Sequence, residues 1–252
     1  MGKAFSVLAL FMVGETLAIP FAPLLALPLI PLMKPLTSSR TAERLLAVVF
    51  IPSAAVTAAA ASYRMAKFVA SASLPNTPFW LVATITLAVS LFLAAGGPEG
   101  VRKWAAFALP LTLGFIALAA LLLFGKFQYD GLAVPRMWER NPVLLACEGL
   151  TLLGLMPAMR YKVKPFRAYG IALIAALGAG AAVWALGSLT LGAELFESVP
   201  YPFYTALRVA KGGEIIGRVE ALLIPVSLCV TVLKAAACMT VIRHGAQAYR
   251  KD

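Results

Sequence analysis

Residues 104–124 read WAAFALPLTLGFIALAALLLF, with no charged side chain in 21 positions. At 1.5 Å per residue a helix of that length spans about 30 Å, the thickness of a bilayer's hydrocarbon core. In lipid a backbone must satisfy its own N–H and C=O groups, and a helix does so within one segment. Outward from this run the same pattern recurs. Apolar stretches cover 42–62, which can continue to Ala72, and 79–95, 141–159, 168–191 and 215–241. Residues 4–33 are also apolar but are interrupted by Pro20, Pro23, Pro28 and Pro31, and cross either once or twice. Lys3 before an apolar stretch resembles a signal peptide, yet Glu15 and the hydrophobicity beyond it favour a retained span. The predicted fold class is an all-α integral membrane protein with about 7–8 transmembrane helices, residues 1–252 forming one polytopic domain.

Composition agrees with that reading. Of 252 residues 61% are hydrophobic and only 13% are charged, and the mean hydropathy is +0.87. About 25% charge is usual for a soluble domain, so this chain cannot cover a globular surface in water. The lipid bilayer is its first partner. The balance is basic, 22 Lys plus Arg against 11 Asp plus Glu. Nucleic acid is excluded as a partner because the basic residues fall between the apolar runs and form no single stripe. Loops 34–44, 96–103 and 160–167 together with the C-terminal tail hold twelve Lys and Arg, and segments 63–77, 125–140 and 192–214 hold seven. The first set, including the C-terminus, is therefore expected on the cytoplasmic side.

The same inventory removes most catalytic chemistry. His244 is the only histidine, and Asp130 and Asp252 are the only aspartates. A Ser-His-Asp triad, an HExxH zinc site and a multi-histidine metal centre are all unavailable. Cys147, Cys229 and Cys238 lie inside apolar runs, and nine positions on a helix place Cys229 and Cys238 on nearly opposite faces. They read as small core residues. No phosphate-binding glycine loop or nucleophile elbow is present. The expectation is a protein without cofactor, metal or catalytic residues, and not an enzyme.

Ionisable and helix-loosening residues inside spans are costly and mark candidate sites. Glu148 lies near the middle of the 141–159 run, beside Gly149 and Thr151 and ahead of Gly154 and Pro157. Two readings stand here: a helix unwound at Gly149 that offers its backbone to a ligand, or a carboxyl bonded to a neighbouring helix. Gly14, Glu15 and Thr16 repeat the pattern in the first span. Lys234 sits deep in the last span and either meets a carboxylate on another helix or, the favoured reading, snorkels to the headgroups. Arg64 and Arg218 lie near helix ends and read as interfacial anchors.

Three segments then resemble a known family. Tyr201-Pro202, followed by Leu207-Arg208 and by Gly217-Arg218-Val219-Glu220-Ala221-Leu222, is similar to the sequence that opens the eighth helix of spore germination permeases. These are the B-type subunits of germinant receptors, in the amino acid–polyamine–organocation superfamily. Leu74-Pro75-Asn76-Thr77-Pro78 resembles that family's turn between the third and fourth helices. Gly97-Pro98-Glu99-Gly100-Val101-Arg102-Lys103 resembles its loop before the fifth. The resemblance implies a LeuT-like bundle of inverted repeats in the bacterial inner (cell or spore) membrane. It also implies a small amino-acid-like ligand near the first and sixth helices and other membrane-protein subunits as partners. By that alignment Gly14, Glu15 and Thr16 fall in the first helix and Glu148, Gly149 and Thr151 in the sixth. Residues 192–213 become an outer connection carrying short helices. Against the family's ten helices this chain is expected to hold a truncated bundle that binds a nutrient, or serves assembly, with transport in doubt.

Overall fold

The computed structural model describes residues 40–72, 76–127, 142–158, 165–209 and 220–250. Among them lie eight α-helices and one 3-10 turn, Phe124–Lys126. The helices are α1 (Arg40–Ala72), α2 (Phe79–Ala95), α3 (Gly97–Leu123), α4 (Pro142–Ala158), α5 (Pro165–Leu191), α6 (Ala193–Ser198), α7 (Pro202–Val209) and α8 (Glu220–Arg250). Four segments are long and apolar enough to cross a membrane: Leu46–Ser71, Gly97–Lys126, Ile174–Leu191 and Glu220–Gln247. Phe79–Ala95 and Ala146–Leu155 are shorter apolar helices. The chain is an all-α membrane protein.

Helix α8 lies against α1, α2, α3 and α4, while α5 packs on α3, α6 and α7. Large apolar side chains such as Phe92, Leu121, Phe124 and Ile174 point outward, as a lipid-facing surface requires. The interior is rich in small residues. Ala54 and Ala58 of α1 and Ala235, Ala236 and Ala237 of α8 share one buried cluster. Lipid tails are as apolar as leucine, so helices in a membrane gain little from hydrophobicity and much from close backbone approach. Two glycines mark close approaches to α1 and α8. A Cβ on Gly245 would come within 2.9 Å of Ile51, and one on Gly154 within 3.0 Å of both Phe50 and Val241.

Several buried hydroxyls are satisfied within their own helices. Thr57 donates to the Ser53 carbonyl at 2.8 Å, Thr86 to Val82 at 2.7 Å and Thr240 to Ala236 at 2.9 Å. This bonding to the preceding turn removes the cost of carrying a hydroxyl into lipid. Two further bonds run between helices. Ser90 on α2 reaches the Val232 carbonyl at 3.2 Å, and the Trp104 indole N–H on α3 reaches that of Cys229 at 3.3 Å. Both fasten onto α8.

The α2–α3 connection is a tight reversal. Gly97 has φ +69°, a conformation that side chains resist, and Pro98 follows in the first turn of α3. Arg243 near the end of α8 donates to the Ala95 carbonyl at 3.2 Å. A cation on the last carbonyls of a helix satisfies orphan acceptors and opposes the negative end of the dipole. The bond also places the α2–α3 reversal and the end of α8 at one end of the bundle. Gly192 (φ +76°) turns α5 into α6 at the other end.

Candidate functional site

Glu148 of α4 is 1% exposed, in the middle of a bundle where an isolated carboxylate would be very costly. Two cations answer it. The Arg64 guanidinium of α1 donates Nη2–H to Glu148 Oε1. The Lys234 ammonium of α8 donates to the same oxygen at 3.3 Å. One carboxylate thus joins three helices.

Helix geometry explains why these groups meet. Glu148 and Thr151 are three apart and share one face of α4, while Phe50, Thr57 and Arg64 recur every seven residues and share one face of α1. The two faces meet in register. Phe50 packs at Gly154, Thr57 Oγ1 lies 3.1 Å from Thr151 Oγ1, and Arg64 pairs with Glu148. These contacts run in opposite chain directions, so α1 and α4 are antiparallel. Side chains lean toward their own helix N-terminus, which tilts Arg64 and Glu148 toward each other. From Phe50 to Arg64 is about 21 Å of helix, and from Gly154 to Glu148 about 9 Å. Only a long side chain reaching back along α1 closes that difference, and arginine provides it.

The two cations are unequal. The Lys234 side chain is 5% exposed and that of Arg64 is 33% exposed. Arg64 Nε also bonds the Ala60 carbonyl at 3.4 Å. One turn beyond Arg64, Phe68 meets Tyr201 and Tyr204 edge-on, with ring centroids at 5.0 and 5.7 Å. These tyrosines belong to the segment that opens and builds α7. The short helix therefore sits over the same face of α1, one turn past the charged group.

Of the two readings at Gly149 the unwound helix is not the one observed, since α4 is continuous there, and two further expectations need correction. Gly149 is buried, and Gly154 serves close packing against Phe50 and Val241. Lys234 does not snorkel to headgroups, because a carboxylate on a neighbouring helix supplies its partner within reach. Arg64 is more than an interfacial anchor, since it turns inward to the same carboxylate. Thr151 is fully buried beside Glu148. Gly14, Glu15, Thr16 and Arg218 lie outside the described residues. Cys147, Cys229 and Cys238 carry free thiols inside the bundle, and no cluster of potential metal ligands occurs among the described residues.

The sequence profile of the family described as spore germination protein matches residues 29–248, far more than half of the 252. The chain belongs to the spore germination protein family. No curated protein and no solved structure matches it. The family is of permease type, so this germination protein is a permease-like membrane protein whose environment is lipid. Segments that carried the resemblance now have places in the fold. Thr77-Pro78 precedes α2, and Pro78 accepts a bond from the Leu81 amide at 3.0 Å. Gly97–Lys103 forms the start of α3, and Glu220 opens α8.

Proposed function

We propose that this germination protein binds a small nutrient, such as an amino acid, and passes the signal to partner subunits. It sits in the bacterial inner (cell or spore) membrane with its C-terminus cytoplasmic. The observation that carries this reading is the buried Glu148 held by cations from two other helices. Charges so deep in a membrane bundle cost stability, and they persist where they handle ligands or ions. The ligand site includes Glu148, Gly149 and Thr151 together with Gly14, Glu15 and Thr16. Because α4 is unbroken, recognition near Glu148 rests on side chains and not on a freed backbone. A group that binds near the triad bears on three helices at once, a direct route from occupancy to altered packing.

A second reading has its own support. An unbroken α4 and a carboxylate tied on two sides also describe a static pin in a subunit that serves assembly alone. The two separate by thermal unfolding of the protein in nanodiscs against a panel of amino acids, sugars and nucleosides. A ligand at a hundred times its Kd adds about 2.7 kcal/mol of stability, a readable rise in midpoint. At least one nutrient is expected to give that rise in the wild-type protein and none in Glu148→Gln. Silence across the panel, with a partner subunit that co-purifies tightly, would establish the assembly role instead.

A further inference from the structure

The triad has two cations on one oxygen, and that asymmetry bears on what it recognises. Remove Lys234 and buried Glu148 keeps only Arg64, whose side chain is one-third exposed. Move Arg64 and Glu148 still holds Lys234 at 3.3 Å. A buried carboxylate left alone is strongly disfavoured, but one that keeps a buried ammonium is not. Exchange of Arg64 is therefore the low-cost change within the triad.

Arg64 is also the member that outside molecules can reach. Its side chain is one-third exposed, against one-twentieth for Lys234. Among the described residues its Nε and Nη2 are engaged, by the Ala60 carbonyl and by Glu148, and Nη1 has no acceptor. A guanidinium presents two parallel N–H donors that match the two oxygens of a carboxylate. Tyr201 and Tyr204 lie over the same face one turn further out, around Phe68. A small molecule arriving from that end meets the tyrosines first and Arg64 next.

Resting on the nutrient-binding reading above, we infer that Arg64 is the ligand-reading member of the triad: it takes the carboxylate of a small acid while Lys234 keeps Glu148 paired. The exchange shifts Arg64 from an α1–α4 bond to an α1–ligand bond. Helix α4 is then held to α8 more than to α1, which converts occupancy into a change in helix packing. No covalent step is involved, and protons stay where they are.

The test uses the full chain in phosphatidylcholine nanodiscs, with the twenty amino acids and their C-terminal amides as probes and thermal midpoint and calorimetric affinity as readouts. The amide keeps the side chain and the ammonium and loses only the anion. An amino acid that binds is expected to lose at least roughly tenfold in affinity as its amide. In Arg64→Gln the acid and amide are expected to bind equally, and Arg64→Lys should restore part of the preference. The ligand-free midpoint of Arg64→Gln should fall by only a few degrees, because Glu148 retains Lys234. Equal binding of acid and amide by the wild type would overturn the Arg64 assignment and leave nutrient binding intact. A preference that survives Arg64→Gln would do the same. No response to any of these acids or amides would overturn the Arg64 assignment, and the sugars and nucleosides of the wider panel would then decide nutrient binding. A parallel set with phosphatidylglycerol identifies the other oxyanion source: a lipid-dependent rise in midpoint that needs Arg64, with no response to amino acids, would assign the guanidinium to a headgroup and overturn the inference.

Discussion

Glu148→Leu is expected to destabilise the bundle by about 3–5 kcal/mol, the usual cost of removing one partner from a buried charge pair. The loss comes chiefly from Lys234. Its side chain is 5% exposed, so without Glu148 it must stay charged in an apolar interior, give up its proton, or drag water inward. Arg64, one-third exposed, can turn outward and loses less. The order of effects follows from those two exposures. Arg64→Gln should cost roughly 1 kcal/mol, near the lower range for a charged hydrogen bond. Lys234→Met should fall between the two, since Glu148 keeps Arg64. The double variant Glu148→Leu with Lys234→Met should recover most of the loss, because replacing a buried pair by apolar groups of similar volume is often close to neutral. Chemical unfolding in detergent micelles measures all four. A single Glu148→Leu that unfolds like the wild type would mean that the triad contributes nothing to the packing of α1, α4 and α8.

The second large effect is steric. Gly154→Val should destabilise by about 1–3 kcal/mol or more, in the range found for overpacked cores. The first carbon it adds already lies 3.0 Å from Phe50 Cγ on one side and Val241 Cγ1 on the other. Two more methyl carbons have nowhere to go unless α1 or α8 moves away from α4. Movement of α1 would stretch the contact between Thr57 and Thr151, 3.1 Å apart, and movement of α8 would draw Lys234 away from Glu148. Phe50→Ala removes one wall, so Gly154→Val in that background should cost distinctly less than it does alone. Additive losses in this double-mutant cycle would show that Phe50 is not the obstruction. Glycine in a helix interior sacrifices about 1 kcal/mol relative to alanine, and here close approach of three helices offsets it.

Much of the architecture was legible in the sequence because the decisive signal is local. A run such as 104–124 announces a lipid-crossing helix by length and lack of charge, with no knowledge of its neighbours. Glu148 was equally legible as a misfit in an apolar run. Its partners were not. Arg64 lies toward one end of its helix, where an anchoring role is the ordinary expectation, and Lys234 has a stem long enough to reach headgroups. Which of them turns inward depends on which helices lie side by side, and hydropathy does not carry that information. A partial signal existed in the seven-residue spacing of Phe50, Thr57 and Arg64. It places an aromatic, a hydroxyl and a cation on one stripe, opposite the three-residue spacing of Glu148, Thr151 and Gly154. The choice at Gly149 between a break and a continuous helix stayed open for a related reason. Glycine signals either a loosened backbone or a close neighbour, and only the contacts at Gly154 show which use α4 makes of its glycines.

The placement of α1 against α4 in the membrane underlies everything said of the triad, and oxidative cross-linking tests it most directly. With Cys147, Cys229 and Cys238 replaced by alanine, Thr57→Cys and Thr151→Cys put two thiols where the hydroxyls now lie 3.1 Å apart, a separation from which a disulfide forms with little movement. In native membranes, mild oxidation should join this pair rapidly and leave Thr57→Cys with Val89→Cys, an outward-facing position of α2, unlinked. If the first pair stayed reduced while the second closed, α1 would not face α4, and Arg64 could not reach Glu148.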